Sequence, residues 1–428
     1  MKTMPTGMQI HLVGVNHSTT PIEIREKLAV SRRQLSNALL LLHNHVPQGL
    51  ILSTCNRTEI YSVSDSGCSS QSGSIDFLKA WADISAADLS PYIYVYQNEA
   101  AARHLFCVAS GLDSMIIGEF EILGQVRQSL AEAKKTHLLE LPLRNLFQQA
   151  IRVGRRVREK TGISRNALSV SSVAVELAAK AIDDFGNSKV FIIGTGEAGR
   201  LVAKALKERG VSQIVVTSRS YEKASSLAAM LGGNSVNISD LGKELAICDI
   251  VISCTGAPHQ ILDLCTVEDA IRARPNRPLV VIDIAVPRDV EPEVRQINNV
   301  FLHDIDDLTQ LSELNRKQRE TETQKAMEII EAEVKRFTSW WQAIEVKPVV
   351  SSLVKKAEDI RQAQLNATLK KLRGLSPEEQ QHLEAMTKAI VQKMLDDPIR
   401  CLKENVQRRE DYVPLVNELF HLDMEEPK

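Results

Sequence analysis

Along the first hundred residues, short apolar runs alternate with amphipathic stretches. Residues 8–15 (Met-Gln-Ile-His-Leu-Val-Gly-Val) predict a strand, closed by the polar loop Asn16-His17-Ser18-Thr19-Thr20 and Pro21. Residues 22–28 and 31–45 predict helices, the second with Ser31 as N-cap and Leu35, Leu39 and Leu42 on one face. Apolar runs at 49–52 and 60–63 read as strands flanking Ser53-Thr54-Cys55-Asn56-Arg57-Thr58-Glu59. The Ser/Gly tract at 65–74 predicts a flexible surface loop. Residues 77–81 read as helix and 92–96 as an aromatic strand. A helix capped by Asn98 follows, carrying His104 and stopped by Gly111. This alternation predicts an α+β domain of ferredoxin-like type. Residues 112–160 read almost entirely as helix and end in Arg152, Arg155, Arg156, Arg158 and Lys160. That basic run is either a solvated face or a stripe for nucleic-acid phosphates.

The pattern then changes period. After an Ala-rich helix at 169–182 with Val173, Leu177 and Ala181 on one stripe, residues 189–193 (Lys-Val-Phe-Ile-Ile) predict a buried strand. Gly194-Thr195-Gly196-Glu197-Ala198-Gly199 and a helix at 200–209 follow directly. A glycine-rich turn between strand and helix is a dinucleotide fingerprint. The first glycine makes the turn, the second admits a pyrophosphate to the backbone, and the third lets helix pack on strand. The helix N-terminus supplies free N–H groups for the anion. The next strand, 213–216, runs into Thr217-Ser218-Arg219-Ser220, with no carboxylate for a ribose 2′-hydroxyl and a guanidinium instead, which favours NADPH over NADH. Further strand-then-helix units at 250–254, 279–284 and 300–302 complete a Rossmann-type domain. Cys254 ends one of these strands but has no activating charge nearby in sequence, so a structural role is expected.

From Leu308 the chain changes character, and Ser312 to Lys325 is highly polar on every face. Met327, Ile330, Val334, Phe337, Trp341 and Ile344 then restore an apolar stripe. A helix of that kind bridges between domains. Beyond Lys347-Pro348 helices are expected at 349–372, from the capping box Ser376-Pro377-Glu378-Glu379 to Met394, and at 398–405. Their apolar stripes need a partner, which points to oligomerisation. The expected division is a catalytic domain at 1–163, a cofactor domain at 164–308, and a spinal helix with a helical dimerisation domain at 309–428.

Composition narrows the class. At 428 residues, 43% hydrophobic and 25% charged, the chain suits a multidomain globular protein. A net charge of -2 gives no global argument for nucleic acid, so any such contact needs a local patch. No apolar run approaches the ~18 residues that span a bilayer, and the first six residues are too short and polar for a signal peptide, so a cytoplasmic protein without a membrane partner is expected. Seven cysteines (55, 68, 107, 248, 254, 265, 401) without a Cys-x-x-Cys pair argue against disulfides or structural zinc, and no metal is expected.

Cys55 stands at a strand end two positions before Arg57, a setting that suits a nucleophile, although a cysteine in such a turn is more often a small packed residue. Combined with an NADP-type fold, it suggests acyl transfer to the thiol followed by hydride reduction of the thioester, or the reverse. Three motif groups of this sequence resemble the glutamyl-tRNA reductase family. The first is the stretch around Cys55 with Gly14-Val15-Asn16-His17. The second is His104-Leu105-Phe106, Ala109-Ser110-Gly111-Leu112-Asp113-Ser114 and Gly118-Glu119 through Gly124-Gln125-Val126. The third is Ser169-Val170-Ser171 with Gly194 to Gly199 and Asp283-Ile284-Ala285-Val286-Pro287-Arg288-Asp289. The resemblance spans about residues 8–345.

It implies NADPH-dependent reduction of glutamyl-tRNA(Glu) to glutamate-1-semialdehyde, the entry to tetrapyrrole synthesis, by a V-shaped homodimer. It implies Cys55 as nucleophile, His104 in proton transfer, and Arg57 on the substrate's side-chain carboxylate. Thr54, Asn56, Ser114, Glu119, Phe120, Glu121 and Gln125 would line the pocket, with the two glutamates holding the α-ammonium. Gly194, Thr195, Gly196, Glu197, Ala198, Gly199, Ser218 and Arg219 would hold NADPH. The family more often has Pro-Gln at Phe120-Glu121. The resemblance also implies hand-over of the unstable product to glutamate-1-semialdehyde aminotransferase. Because Cys55 and the nicotinamide site lie in different domains, a hinge is expected at 162–169 and at the start of the spinal helix. Two other readings remain open on the residues alone: a cysteine/NADP oxidoreductase acting on a free metabolite, and a non-enzymatic NADP-sensing adaptor.

Overall fold

The computed structural model describes residues 8–65, 70–136, 139–164, 169–182, 184–308, 320–372, 375–404 and 415–422. The chain forms two compact units, one built on Ile10–Val63 and Ser70–Glu333, the other chiefly on Val334–Lys428.

The larger unit opens with a four-stranded sheet of β1 (Met8–Asn16), β2 (Gln48–Ser53), β3 (Arg57–Asp65) and β4 (Tyr94–Gln97) in the order β2-β3-β1-β4. That order, with helices between β1 and β2 and between β3 and β4, is the ferredoxin-like arrangement expected from the alternation. The β2–β3 and β1–β4 pairs are antiparallel. Helices α1 (Ile22–Leu28) and α2 (Leu35–His43) fill the first connection, α3 (Ser70–Ala82) and α4 (Ala86–Leu89) the second. Then come α5 (Asn98–Ser110), α6 (Glu121–Ala133) and α7 (Leu141–Lys160).

Local chemistry corrects several expectations. Helix α2 begins at Leu35, because Ser31 spends its backbone N–H and hydroxyl on Gln34 Oε1 in a preceding turn. Residues 70–74 are helix, with Ser70 and Ser74 buried in α3, so the predicted loop is wrong there; residues 66–69 lie outside the described residues. Asn98 does not cap α5: its φ is 47° and its side-chain oxygen accepts from Ile10 N–H at 3.0 Å, tying the helix start to β1. Gly111 does end α5, in the left-handed conformation at φ 77°. The predicted helix at 112–160 is broken by turns around residues 112–120 and at 134–136, leaving α6 and α7.

The second part of this unit comprises α8 (Val170–Ala181), β5 (Lys189–Ile193), α9 (Glu197–Glu208), β6 (Gln213–Thr217), α10 (Tyr221–Leu231) and β7 (Asn234–Ser235). It continues with α11 (Leu241–Ile247), β8 (Ile250–Ser253), α12 (Leu264–Arg272), β9 (Leu279–Asp283) and β10 (Val300–His303). The sheet order is β10-β9-β8-β5-β6-β7, all parallel, with the order reversing beside β5. This is the doubly wound dinucleotide-binding topology, whose ligand crevice lies at that switch point. Period-two alternation sorts the strands onto two cores. Val190, Ile192, Ile250, Ile252, Val280 and Ile282 enter one, Phe191, Ile193, Val251, Leu279 and Val281 the other.

The smaller unit is helical. The helix Glu320–Lys371, which belongs to this unit from Val334 on, continues through residue 348, where a break was expected, and buries Ile330, Val334, Phe337 and Trp341 of the predicted stripe. Ser376 and Glu379 exchange backbone-to-side-chain hydrogen bonds, as the capping box predicts, at the start of Pro377–Glu404. That helix also continues past the expected stop at Met394 and through Pro398. Val349, Leu353, Leu395, Leu402 and Leu422 form its core. Among the described residues no helix is long and apolar enough to cross a membrane.

Candidate active site

Cys55 sits at the tip of the β2–β3 hairpin. The register Leu52↔Glu59 and Ser53↔Thr58 leaves Thr54, Cys55 and Asn56 as the connection. Thr54 N–H donates to Arg57 O, while its hydroxyl oxygen accepts from the N–H groups of Asn56 and Arg57, making a tight self-bonded turn. His17 N–H donates to Asn56 O at 2.8 Å, and Arg25 Nη1 donates to Cys55 O at 2.9 Å. The nucleophile candidate is thus held by its main chain from both neighbouring segments.

Under this tip lies a polar cluster centred on Glu59, the last residue of the Cys55 motif and one with no role evident from sequence. Its buried carboxylate accepts from Arg57 Nη1 at 2.7 Å, Tyr61 Oη at 2.7 Å, Tyr94 Oη at 2.6 Å and His104 Nε2 at 2.8 Å. Four donors, two of them cationic or able to be, hold Glu59 well below the usual carboxylate range against the opposing effect of burial. Gly14 makes room: a Cβ there would lie 2.8 Å from Glu59 Cγ and 3.1 Å from Tyr94 Oη. Arg57 is also bound to Asp113, through the carboxylate at 3.0 Å and through the carbonyl oxygen. Its guanidinium is therefore engaged within the chain. Of its two acidic partners only Asp113 is accessible, with 40% of its side chain exposed against none for Glu59.

The electrostatics at the thiol differ from the first expectation. The cation that lowers the Cys55 pKa is Arg25; Arg57 is spent on Glu59 and Asp113. Burial, Glu119 and Glu121 outweigh Arg25 and push the thiol up to about 12. Glu119 is itself raised by burial, and Glu121 is raised to about 7 by burial and by Glu119 and Glu197. These carboxylates come from the loop before α6 and its first residue. Gly111 and Gly118, at φ 77° and 85°, let that loop close on itself through a 2.8 Å bond from Gly118 N–H to Gly111 O. Ser114 and Glu119 are buried there, Gln125 is half-buried on α6, and Phe120 is 62% exposed, so Phe120 is a rim residue at most. Glu121 Oε1 is buried without a hydrogen-bond partner, as a site awaiting a donor would be.

The Cys55 side chain also packs against the core that joins Ile22, Met115 and Ile116 to the Rossmann part. Helix α1 is docked there by ion pairs, Arg25 with Asp306, and Arg288 with Glu23 and Glu26. Of these bridging residues only Arg288 lay in a quoted motif; Glu23, Glu26, Arg25 and Asp306 had no sequence signal beyond charge. The expected hinges fall largely on 165–168 and 309–319, outside the described residues.

The basic run at the end of α7 is not one stripe. Arg158 turns inward and donates to Ala109 O, Gly154 O and Glu119 O, and Arg156 pairs with Glu333 at 2.6 Å. Arg152, Arg155 and Lys160 remain exposed.

At the switch point a cavity of about 230 Å³ is lined by Gly194, Thr195, Gly196, Ser218, Arg219 and Lys223 among others. The glycines behave as the fingerprint requires. Gly194 has φ 121°; a Cβ on Gly199 would collide with the Gly194 carbonyl oxygen; a Cβ on Gly196 would meet nothing within 4 Å. The open space before Gly196 fits a phosphate group, so the residues suit a dinucleotide. Of the other residues assigned there, Glu197 opens α9 and Ala198 packs against the Rossmann core. Cys254 donates its thiol to Ile193 O at 3.4 Å beneath the turn and is pushed up by burial, a packed role. Lys223 and Arg33 also line the cavity, and neither carries a motif that marks it in the sequence.

Three family models match the chain: the glutamyl-tRNAGlu reductase N-terminal domain at 13–161, shikimate/quinate 5-dehydrogenase at 176–311, and the glutamyl-tRNAGlu reductase dimerisation domain at 325–422. The glutamyl-tRNA reductase of Geotalea daltonii is 40% identical over 420 residues, 97% of each chain. That of Bacillus subtilis is 40% identical over 399 residues, 93% of this chain and 88% of its own. The solved glutamyl-tRNA reductase of Methanopyrus kandleri is 32% identical, with a TM-score of 0.51 over 96% of this chain and 99% of that one.

Proposed function

The chain belongs to the glutamyl-tRNA reductase family, and from that membership and the geometry above we propose that it reduces the glutamyl group of glutamyl-tRNA(Glu) to glutamate-1-semialdehyde through a thioester on Cys55. The observation that carries this is the thiol itself, held by its main chain at a hairpin tip, beside two carboxylates and packed against the cofactor fold. Its sulfur attacks the aminoacyl ester carbon, the bond to the tRNA ribose oxygen breaks, and the thiol proton ends on that oxygen. NADPH, when bound at the glycine turn, supplies the hydride that releases the acyl group from sulfur as an aldehyde. The Shikimate/quinate-type domain supports a nicotinamide cofactor; Arg219 and the missing carboxylate at the end of β6 support NADPH over NADH.

The electrostatics suggest how the thiol is switched on. With Glu119 and Glu121 beside it, the free enzyme keeps Cys55 protonated. The substrate's α-ammonium, taken between those carboxylates, cancels the field that opposes the thiolate and satisfies Glu121 Oε1. The side-chain carboxylate of the substrate goes to Arg57 by displacing the exposed Asp113 carboxylate. To His104, whose Nε2 is fixed by Glu59, we assign the proton transfer at the leaving oxygen, and to Thr54, Asn56, Ser114 and Gln125 the shaping of the pocket. We assign 1–163 to substrate, 164–308 to cofactor and 309–428 to dimer formation. Met386, Ile390 and Met394, spaced four apart and at least half exposed on Pro377–Glu404, support a second copy as partner. Because the aldehyde is unstable in water, hand-over to the aminotransferase that consumes it completes the reading, which places the enzyme in the cytoplasm.

The test is NADPH oxidation with glutamyl-tRNA, free glutamate and glutamyl phosphate, for wild type and Cys55→Ser. Turnover that requires tRNA and disappears in the variant is expected. Turnover without tRNA, or retained activity in Cys55→Ser, refutes the reading.

A further inference from the structure

We propose that Arg33, from the catalytic part of the chain, is a second ligand for the cofactor's 2′-phosphate and sets the preference for NADPH together with Arg219. Arg33 lies in the turn between α1 and α2, far in sequence from the glycine-rich motif, yet it lines the same cavity as Gly196, Ser218, Arg219 and Lys223. No carboxylate lines that cavity among the described residues, and Arg33, Arg219 and Lys223 have no ion-pair partner there. Three uncompensated cations around one small space repel each other and leave an electropositive recess. A bound phosphate dianion removes that repulsion and accepts charge-assisted hydrogen bonds from each of them. The glycine turn accounts for the pyrophosphate, so the remaining cations at the end of β6 fall to the 2′-phosphate.

The turn that presents Arg33 is held in place. Ser31 and Gln34 bond each other across it, and Val30 N–H donates at 2.9 Å to Ser53 Oγ, which is 3.0 Å from Thr58 Oγ1. Ser53 is two residues before Cys55. A phosphate grasped by Arg33 is therefore connected through the Val30–Ser53 hydrogen bond to the nucleophile's hairpin, and cofactor binding registers the cofactor domain against it.

This inference rests on NADPH being the cofactor, and its test separates the two. Dissociation constants for NADPH and NADH are measured by nicotinamide fluorescence in the full-length protein, for wild type, Arg33→Ala, Arg33→Lys and Arg219→Ala, at two salt concentrations. A wild type without preference for NADPH refutes the cofactor reading itself. Given that preference, Arg33→Ala should weaken NADPH roughly tenfold, the loss of one charge-assisted hydrogen bond at an exposed site, and leave NADH within about twofold. Arg33→Lys should restore part of the loss, and higher salt should shrink it. Unchanged NADPH binding in Arg33→Ala, or an equal loss for NADPH and NADH, overturns the assignment of Arg33 while leaving the cofactor in place.

Discussion

The most exposed consequence of the site's electrostatics concerns the reactivity of Cys55 without substrate. Burial, Glu119 and Glu121 put its thiol at about 12. An ordinary cysteine titrates near 8.5, so at any pH well below both the Cys55 thiolate is scarcer by a factor on the order of a thousand. Because the thiolate is the species that alkylates, iodoacetamide should modify Cys55 far more slowly than the exposed Cys265 in the same molecule. Mass spectrometry after timed quenching reads both sites at once. Restricted access alone would also slow Cys55, but access does not change the pH profile. The rate at Cys55 should keep rising about tenfold per pH unit through pH 10, without a plateau. Glu119→Gln and Glu121→Gln should each raise the rate at pH 8, roughly tenfold for each unit by which the thiol pKa falls. A plateau between pH 7 and 9 in the wild type, or slower alkylation in both variants, would show that the carboxylates do not hold the thiol protonated.

Other expectations follow from named contacts. Glu59→Gln leaves Arg57 buried with half its compensation and should cost about 3–5 kcal/mol, read as a lower urea midpoint for the larger unit. Because the folded state holds Glu59 below its ordinary pKa, the stability it supplies is complete above that pKa and is lost as pH falls. The variant should therefore lose part of the acid limb of a stability–pH curve, and an unchanged limb would contradict the assignment. Gly154→Ala places a Cβ against the Ala109 carbonyl, 2.9 Å from its carbon, and should lower the melting temperature by forcing α7 off α5; a neutral result would mean that the crossing relaxes freely. Ile390→Glu puts a charge in the middle of the exposed stripe of Pro377–Glu404 and should convert dimer to monomer in sedimentation, with fold content by circular dichroism unchanged.

Both sheets were legible because their signals are local. The period-two runs, the glycine turn at 194–199 and the cap at Ser376 depend on neighbours within a few residues, and each stands as read. Two of the errors come from partners distant in sequence, whereas Ser31 lost the helix start to a local bond with Gln34. Asn98 looks like a cap but bonds Ile10, 88 residues away. Ser70 and Ser74 look like linker but are buried in a helix. At the site, the motif around Cys55 was visible while its energetics were not. Arg57 reads as the activating cation until Asp113 and Glu59 are seen to occupy it, and Arg25 carries no signal beyond its charge. Arg33 is likewise an ordinary surface arginine in one dimension and a cavity wall in three.

Arg158 shows what such inward charges do for the pocket. In sequence it is one more cation in a basic run; in the fold its guanidinium gathers the carbonyl oxygens of Ala109, Glu119 and Gly154. Those three lie at the end of α5, just before α6, and within α7, so one planar group spans every junction of the loop that carries Ser114 and Glu119. An ammonium group has no plane and no fork, and it cannot span the three acceptors from one point. The shape of the pocket proposed for the glutamyl group thus hangs on a residue outside its proposed lining, and a lysine there, usually counted a mild change, would loosen the loop that faces Cys55.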